Sequence, residues 1–323
     1  MRRRDLIALL GSAMTPPPFA ARAQKGDQLR EIGILAAATA HPIDSFRERL
    51  RELGWSEGQN VGFAYRWAEG DDTRYPALAA ELVALKVDLI LTWGTPAALA
   101  AKEATTTIPI VMASIGTTLG NDVVPNLARP GGNITGFSSL NFEIAGKHIG
   151  LLKDLVPGIR RVAVLSNATN PGVAVAIRYA ETAAKTAGLT LDTIQIREAS
   201  DLATALPALS RLHPDAALVI GDTQLLAQRQ RIVEFMSASR LPAIYAHSEF
   251  AEAGGLLSYS PDYNDLFRQT AAYVDKILRG TNPGDLPVQQ PVKFKLVVNL
   301  KTAEALGLTI PPLILAQADE VIE

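Results

Sequence analysis

The sequence predicts an α/β protein of two doubly wound lobes joined by a multi-strand hinge, and three observations carry that prediction. Short apolar runs alternate with helical patterns from Glu31 onward, the series breaks at Arg129-Pro130-Gly131-Gly132-Asn133, and it then restarts in the same order. Strand and helix patterns that alternate in this way argue for βαβ units and a parallel sheet covered on both faces. A Pro-Gly-Gly run continues neither element and reads as a turn.

In the first series, Ile32 to Ala37 reads as a strand. Phe46, Leu50 and Leu53 then share one face of a helix that Gly54 ends. Val61 to Trp67 is a second strand, Leu78, Leu82 and Leu85 mark the next helix, and Val87 to Thr92 is a buried strand. Pro96 to Ala104 follows as a helix with proline near its start, where the missing N–H costs nothing, and Ile108 to Ala113 is a fourth strand.

In the second series, a helix from about Glu143 to Leu155 leads into strand Arg161 to Leu165, helix Val173 to Ala187 and strand Leu191 to Ile196. Helix Leu202 to Leu212, strand Ala217 to Ile220, helix Leu225 to Ser237 and strand Ala243 to Ala246 complete it. The helix Leu266 to Leu278 and the segment from Val292 onward come after that completion, so the chain is expected to cross between lobes more than once. In the tail, Leu300, Ala303, Leu306 and Gly307, followed by Pro311-Pro312, read as a short helix, its stop and a new helix. The expected organisation is residues 1–23 as a signal peptide, residues 24–137 with about 262–284 as the first lobe, and 138–261 with about 285–323 as the second.

The export signal rests on Arg2, Arg3 and Arg4, the uncharged stretch from Leu6 to Ala13, and Ala21-Arg22-Ala23 ahead of Gln24. These are a basic region, an apolar region and a small-residue cleavage site. The adjacent arginines followed by Asp5, Leu6 and Ile7 resemble a twin-arginine signal. Cleavage there removes four arginines and one aspartate and takes the formal net charge from -2 to -5. A periplasmic location is expected, and no later apolar run approaches the roughly 20 residues of a membrane span.

Composition narrows the function. Forty-eight per cent hydrophobic residues in 323 give material for a large core, and a slightly acidic chain without a basic cluster is a poor partner for nucleic acid. The absence of cysteine excludes thiolate nucleophiles, thiolate zinc sites and disulfides. His41, His148, His213 and His247 show no metal-ligand spacing, and no cofactor or metal is expected. The chain has no G-x-S-x-G elbow, no phosphate loop of the G-x-x-x-x-G-K-[ST] type and no G-x-G-x-x-G after its first strand, so an enzyme is not expected.

In open parallel sheets, ligands sit beyond the carboxyl ends of the strands. The loops there are Ala38 to His41, Trp93 to Pro96 and Ser114 to Thr118 in the first half. In the second half they are Ser166 to Pro171, Gly221 to Gln224 and His247-Ser248. They are small, polar and nearly uncharged, so hydroxyls and helix-start N–H groups can hold a ligand carboxylate without arginine. The candidates are Thr39, Gly94, Thr95, Ser114 and Thr117 from the first half and Asn167 and Asp222 from the second. Trp93 and Tyr245 are candidate stacking rings that can equally be core. Asp222 is the one carboxylate placed to accept from a ligand amine; its other role is an N-cap for the helix beginning near Leu225.

Four runs then identify a relationship: Leu127 to Gly136, Asn167 to Pro171, Pro242 to Tyr245 followed by Phe250 to Leu256, and Leu300 to Ala303 through Ile310-Pro311-Pro312. Together they resemble the ABC transporter substrate-binding family that includes tryptophan-binding proteins of the TrpX type. The resemblance implies a type I periplasmic-binding-protein fold with three crossover segments, a monomer that traps one small-molecule solute by hinge closure, and delivery to ABC permease and ATPase subunits. It also implies cleft-lining roles for Asn167 and Asp222. Thr117 and Thr118 stand where the family often carries an Asp-Pro pair. The favoured ligand is an amino acid or aromatic acid. Two other readings stand beside it: a ligand-sensing periplasmic protein on the same fold that partners a membrane receptor, and an exported α/β enzyme.

Overall fold

The computed structural model describes residues 29–38, 42–116 and 123–323. Thr39, Thr117 and the expected signal peptide lie outside the described residues. The first lobe begins with β1 (Arg30–Ala36), α1 (Ile43–Glu52), β2 (Val61–Trp67), α2 (Tyr75–Ala84) and β3 (Leu89–Trp93). It continues with α3 (Thr95–Ala104), β4 (Ile110–Ile115) and β5 (Ile134–Ser138). These strands form one parallel sheet in the order β2-β1-β3-β4-β5. β3 and β4 are buried along their whole length, as their largely apolar runs require of central parallel strands, whereas β2 at the edge is mostly half-buried.

The second lobe holds α4 (Ala145–Leu155), β6 (Arg161–Asn167), α5 (Val173–Ala187), β7 (Thr190–Ile196), α6 (Leu202–Arg211) and β8 (Ala216–Val219). It goes on through α7 (Thr223–Ala227), α8 (Arg229–Ala238), β9 (Ala243–Tyr245), α9 (Ser248–Glu252) and β10 (Leu257–Pro261). The chain then crosses back. α10 (Tyr263–Leu278) packs its apolar face, including Leu266, Phe267, Val274 and Ile277, into the core of the first lobe. β11 (Phe294–Asn299), α11 (Leu300–Leu306), α12 (Pro312–Gln317) and β12 (Glu320–Ile322) return to the second. The second sheet runs β12-β11-β10-β9-β8-β6-β7, all parallel except for the antiparallel β10–β11 pair. The two sheets are linked by three passages of chain, between β5 and α4, between β10 and α10, and between α10 and β11.

The expected elements of both series are present, with β2 and α5 on the expected residues and most others within two or three. One helix differs: the run expected from Leu225 to Ser237 starts earlier, at Thr223, and is divided at Gln228 into α7 and α8. The early start follows from Asp222, whose carboxylate caps the first turn. β5, β10, α9, β11 and β12 carried no separate expectation.

Candidate functional site

The carboxyl ends of β3 and β4 in one lobe face those of β6, β8 and β9 in the other, and a small cavity of about 20 Å³ lies where they meet. Of the candidate residues, Gly94, Thr95, Ser114 and Asp222 line it. So do Asn170, Gly221, Thr223 and His247, which belong to the expected loops. The passage from β5 to α4 supplies a third wall, Ser139, Asn141 and Phe142, that sequence reasoning did not single out.

Backbone geometry explains the first-lobe wall. Gly94 has φ +84 and ψ 137 and leads directly into α3, so the chain turns sharply at the end of β3. Its N–H donates to the carbonyl of Ser114 (2.8 Å), tying the ends of β3 and β4 together, and the Gly116 N–H donates to Thr95 Oγ1 (3.4 Å). Thr95 and Ser114 are buried, with small hydroxyl side chains at the start of a helix and the end of a strand.

Asp222 is both the N-cap of α7 and a wall of the cavity. Its Oδ1 accepts from the N–H groups of Gln224 (2.9 Å) and Leu225 (3.2 Å) and from Asn167 Nδ2 (3.2 Å); its Oδ2 accepts from Asn170 Nδ2 (2.8 Å). Burial pushes the Asp222 carboxyl up from the ordinary carboxylate range, and these four donors work in the opposite direction. Among the described residues Oδ2 holds a single donor against three on Oδ1, which leaves it the freer oxygen for a cationic group.

Asn167 is fully buried but not on the cavity surface. Its Nδ2 donates to Asp222 and also to Asp72 Oδ2 (3.3 Å), and its Oδ1 accepts from the Thr169 N–H (2.9 Å). Trp93 and Tyr245, expected as stacking rings, are placed in the two cores. Trp93 packs against Trp67 and Phe267, while Tyr245 is stacked on Phe250 at 4.6 Å between centroids. The ring that faces the cavity is Phe142. It fits between Gly116 of one lobe and Gly172 of the other so closely that a Cβ at either glycine would lie about 2 Å from a ring carbon. Asn141 beside it donates to the Tyr263 hydroxyl, and the Tyr263 ring is stacked on His247.

Outside this cavity, a groove of about 820 Å³ runs along the line where the lobes meet, lined by Tyr75, Pro96 and Leu99 with Asp72, Arg197 and Glu198. Among the described residues there is no group of three or more acidic or histidine side chains able to hold a metal ion, and no helix long and apolar enough to cross a membrane.

Residues 36–322 match the family model described as ABC transporter substrate binding protein. A tyrosine-binding protein of Clostridioides difficile is 25% identical over 283 residues, which are 86% of this chain and 81% of that one. Among solved structures, the ABC domain in complex with L-Trp from Streptococcus pneumonia is 30% identical with a TM-score of 0.84, covering 91% of this chain and all of that one. A conserved domain protein from Vibrio cholerae is similar to the same degree, at 29% identity, TM-score 0.84 and the same coverage.

Proposed function

Because this chain belongs to the ABC transporter substrate-binding protein family, we propose that it is the extracytoplasmic solute-binding component of an ABC importer. It captures a small organic ligand, an amino acid or aromatic acid, between its two lobes. The observation that carries this reading is a small cavity walled by both lobes, with hydroxyls and a helix start on one side and, on the other, Asp222, the one buried carboxylate among the described residues. A ligand carboxylate is held by the Thr95 and Ser114 hydroxyls with the first N–H groups of α3, and the ligand amine by Asp222 Oδ2. The relatives' ligands, tyrosine and L-Trp, have this same pair of groups and support the class.

The cavity's 20 Å³ holds about one water molecule, so an amino acid enters only after the lobes separate. Opening at the three passages, capture and closure follow from that size. Closure removes the ligand from water, and the permease and ATPase subunits then receive it from the closed form. Residues 1–23 direct export to the periplasm and are removed there, and the mature chain works as a monomer.

The test is a thermal-shift screen of residues 24–323 against amino acids, aromatic acids, nucleobases and short peptides. A true ligand at a thousand times its dissociation constant stabilises the fold by about 4 kcal/mol. Hits confined to amine-bearing acids support the reading; a response to nucleobases or peptides alone overturns the ligand class.

A further inference from the structure

A cluster of hydrogen bonds between the lobes lies on the side of the molecule away from the three passages. β2, β6 and β7 are at or next to the sheet edges opposite those passages, and the residues that follow them meet across the gap. Asp72 follows β2 in the first lobe, while in the second Asn167 ends β6 and Thr169 follows it. Asn167 Nδ2 lies 3.3 Å from Asp72 Oδ2, and Thr169 Oγ1 lies 3.0 Å from the same oxygen. Gln224 Nε2 donates to the carbonyl of Gly70 (2.8 Å), two residues earlier.

We propose that Asp72 is a positioning residue of the binding site: from the opposite lobe, it fixes Asn167, and through Asn167 the carboxylate Asp222, only when the lobes are shut.

Hydrogen-bond capacity makes the argument. The Asn167 side-chain nitrogen carries two hydrogens, and the two carboxylates it contacts are Asp222 at 3.2 Å in its own lobe and Asp72 at 3.3 Å in the other. Its oxygen accepts from the Thr169 N–H at 2.9 Å and lies 2.7 Å from the Thr169 hydroxyl, whose one hydrogen is shared between this oxygen and Asp72 Oδ2 at 3.0 Å. Every polar atom of this fully buried side chain is therefore used, and one of its partners is lost when the lobes part. Closure thus sets the orientation of the amide that holds Asp222. Asp72 reaches neither the cavity surface nor a ligand in it; it acts through Asn167. The inference rests on the two-lobe capture reading, but its test needs no solute.

The chain has no cysteine, so Glu103→Cys and Ser200→Cys, both exposed and on opposite lobes, give a labelled pair for electron-spin distance measurement. In this background at pH 5, where the Asp72 carboxyl carries a proton and its Oδ2 still accepts, Asp72→Ala is expected to shift the ratio of short to long distances up to about tenfold toward the long, the size expected for losing one buried hydrogen bond. Asp72→Asn keeps an acceptor oxygen and is expected to restore most of the short population, which a bulk packing defect would not do. Thr169→Val removes the hydroxyl that bridges Asn167 Oδ1 and Asp72 Oδ2, so it loosens the same contact from the other lobe, shifts the distribution the same way, and reads that contact should Asp72→Ala fold poorly by circular dichroism. Distances unchanged in both Asp72→Ala and Thr169→Val, or a parent already wholly open, overturn the proposal. Failure of every solute in the binding screen leaves this result untouched, so the two claims fail separately.

Discussion

Replacing Gly94 by alanine perturbs the site in two separable ways. At φ +84 and ψ 137 the backbone sits where only glycine is comfortable, and holding alanine there costs about 1–3 kcal/mol. The new Cβ also lies 3.1 Å from Thr223 Cγ2 and 3.3 Å from its Oγ1, tighter than ordinary contact. Thr223 belongs to the other lobe, so this second component exists only while the lobes are together. Scanning calorimetry of the parent, Gly94→Ala and Gly94→Ala with Thr223→Ala separates the two. The single variant should melt about 2–5 °C lower, from about 1.6 °C per kcal/mol for roughly 300 residues. The double variant should recover the interlobe part and keep the backbone part. Gly94→Ala melting with the parent would refute the account of this turn.

Four further outcomes are expected. His148 is buried in the second lobe with its Nε2 against the Tyr259 carbonyl (2.7 Å), and burial lowers its pKa to about 4. A depressed folded value means that its contribution is complete above about pH 6.5 and is lost as pH falls toward 4, worth about 3 kcal/mol, so parent and His148→Gln stability curves should converge across that window. Asp72 behaves in the opposite sense: burial and then the Asp222 charge raise it to about 6, so closing the lobes takes up a proton and the closed population should grow as pH falls through 6. Asp71, Tyr75 and Glu103 on its own lobe and Arg197, Glu198, Asp201 and Asp222 across the gap share its surroundings, so the dependence is read as the difference from Asp72→Asn, which should lack it. Phe142→Ala empties the space between Gly116 and Gly172 and should cost about 3–5 kcal/mol by denaturant titration, while admitting bulkier solutes to the cavity. Asp222→Ala removes a cap as well as a binding group, so it should lose about 1 kcal/mol of stability in addition to amine affinity.

Much of the fold was legible because its strands are parallel and central. Runs such as Leu89–Trp93 and Ile110–Ile115 are apolar but for one small hydroxyl each, and helices such as Val173–Ala187 carry a clean stop at Gly188, which adopts φ +73. β5 was hidden because it follows the Pro-Gly-Gly turn at once and contains Gly136, which dilutes a strand pattern. β12 has three residues, too few for a period to show. The site was legible as a set of loops, since strand ends in such sheets converge. The third wall was not, because Ser139 to Phe142 belongs to a passage between sheets rather than to a strand-to-helix loop. Nor could one sequence decide which rings face inward: Trp93 ends a strand as a cleft residue would, yet its side chain turns into the first core between Trp67 and Phe267. Asp72 had no signal at all, since its role depends on two segments about a hundred residues apart.

The central claim, that a small amine-bearing acid is held between the lobes by Asp222, is tested most directly by calorimetric titration of residues 24–323 with L-tryptophan and L-tyrosine, beside indole-3-propionate and 4-hydroxyphenylpropionate, which lack the amine. The account predicts that one of the amino acids binds, that its amine-free counterpart binds at least about tenfold more weakly, and that Asp222→Ala abolishes this preference. Equal affinity for the two members of a pair, or a preference that survives in Asp222→Ala, would contradict it.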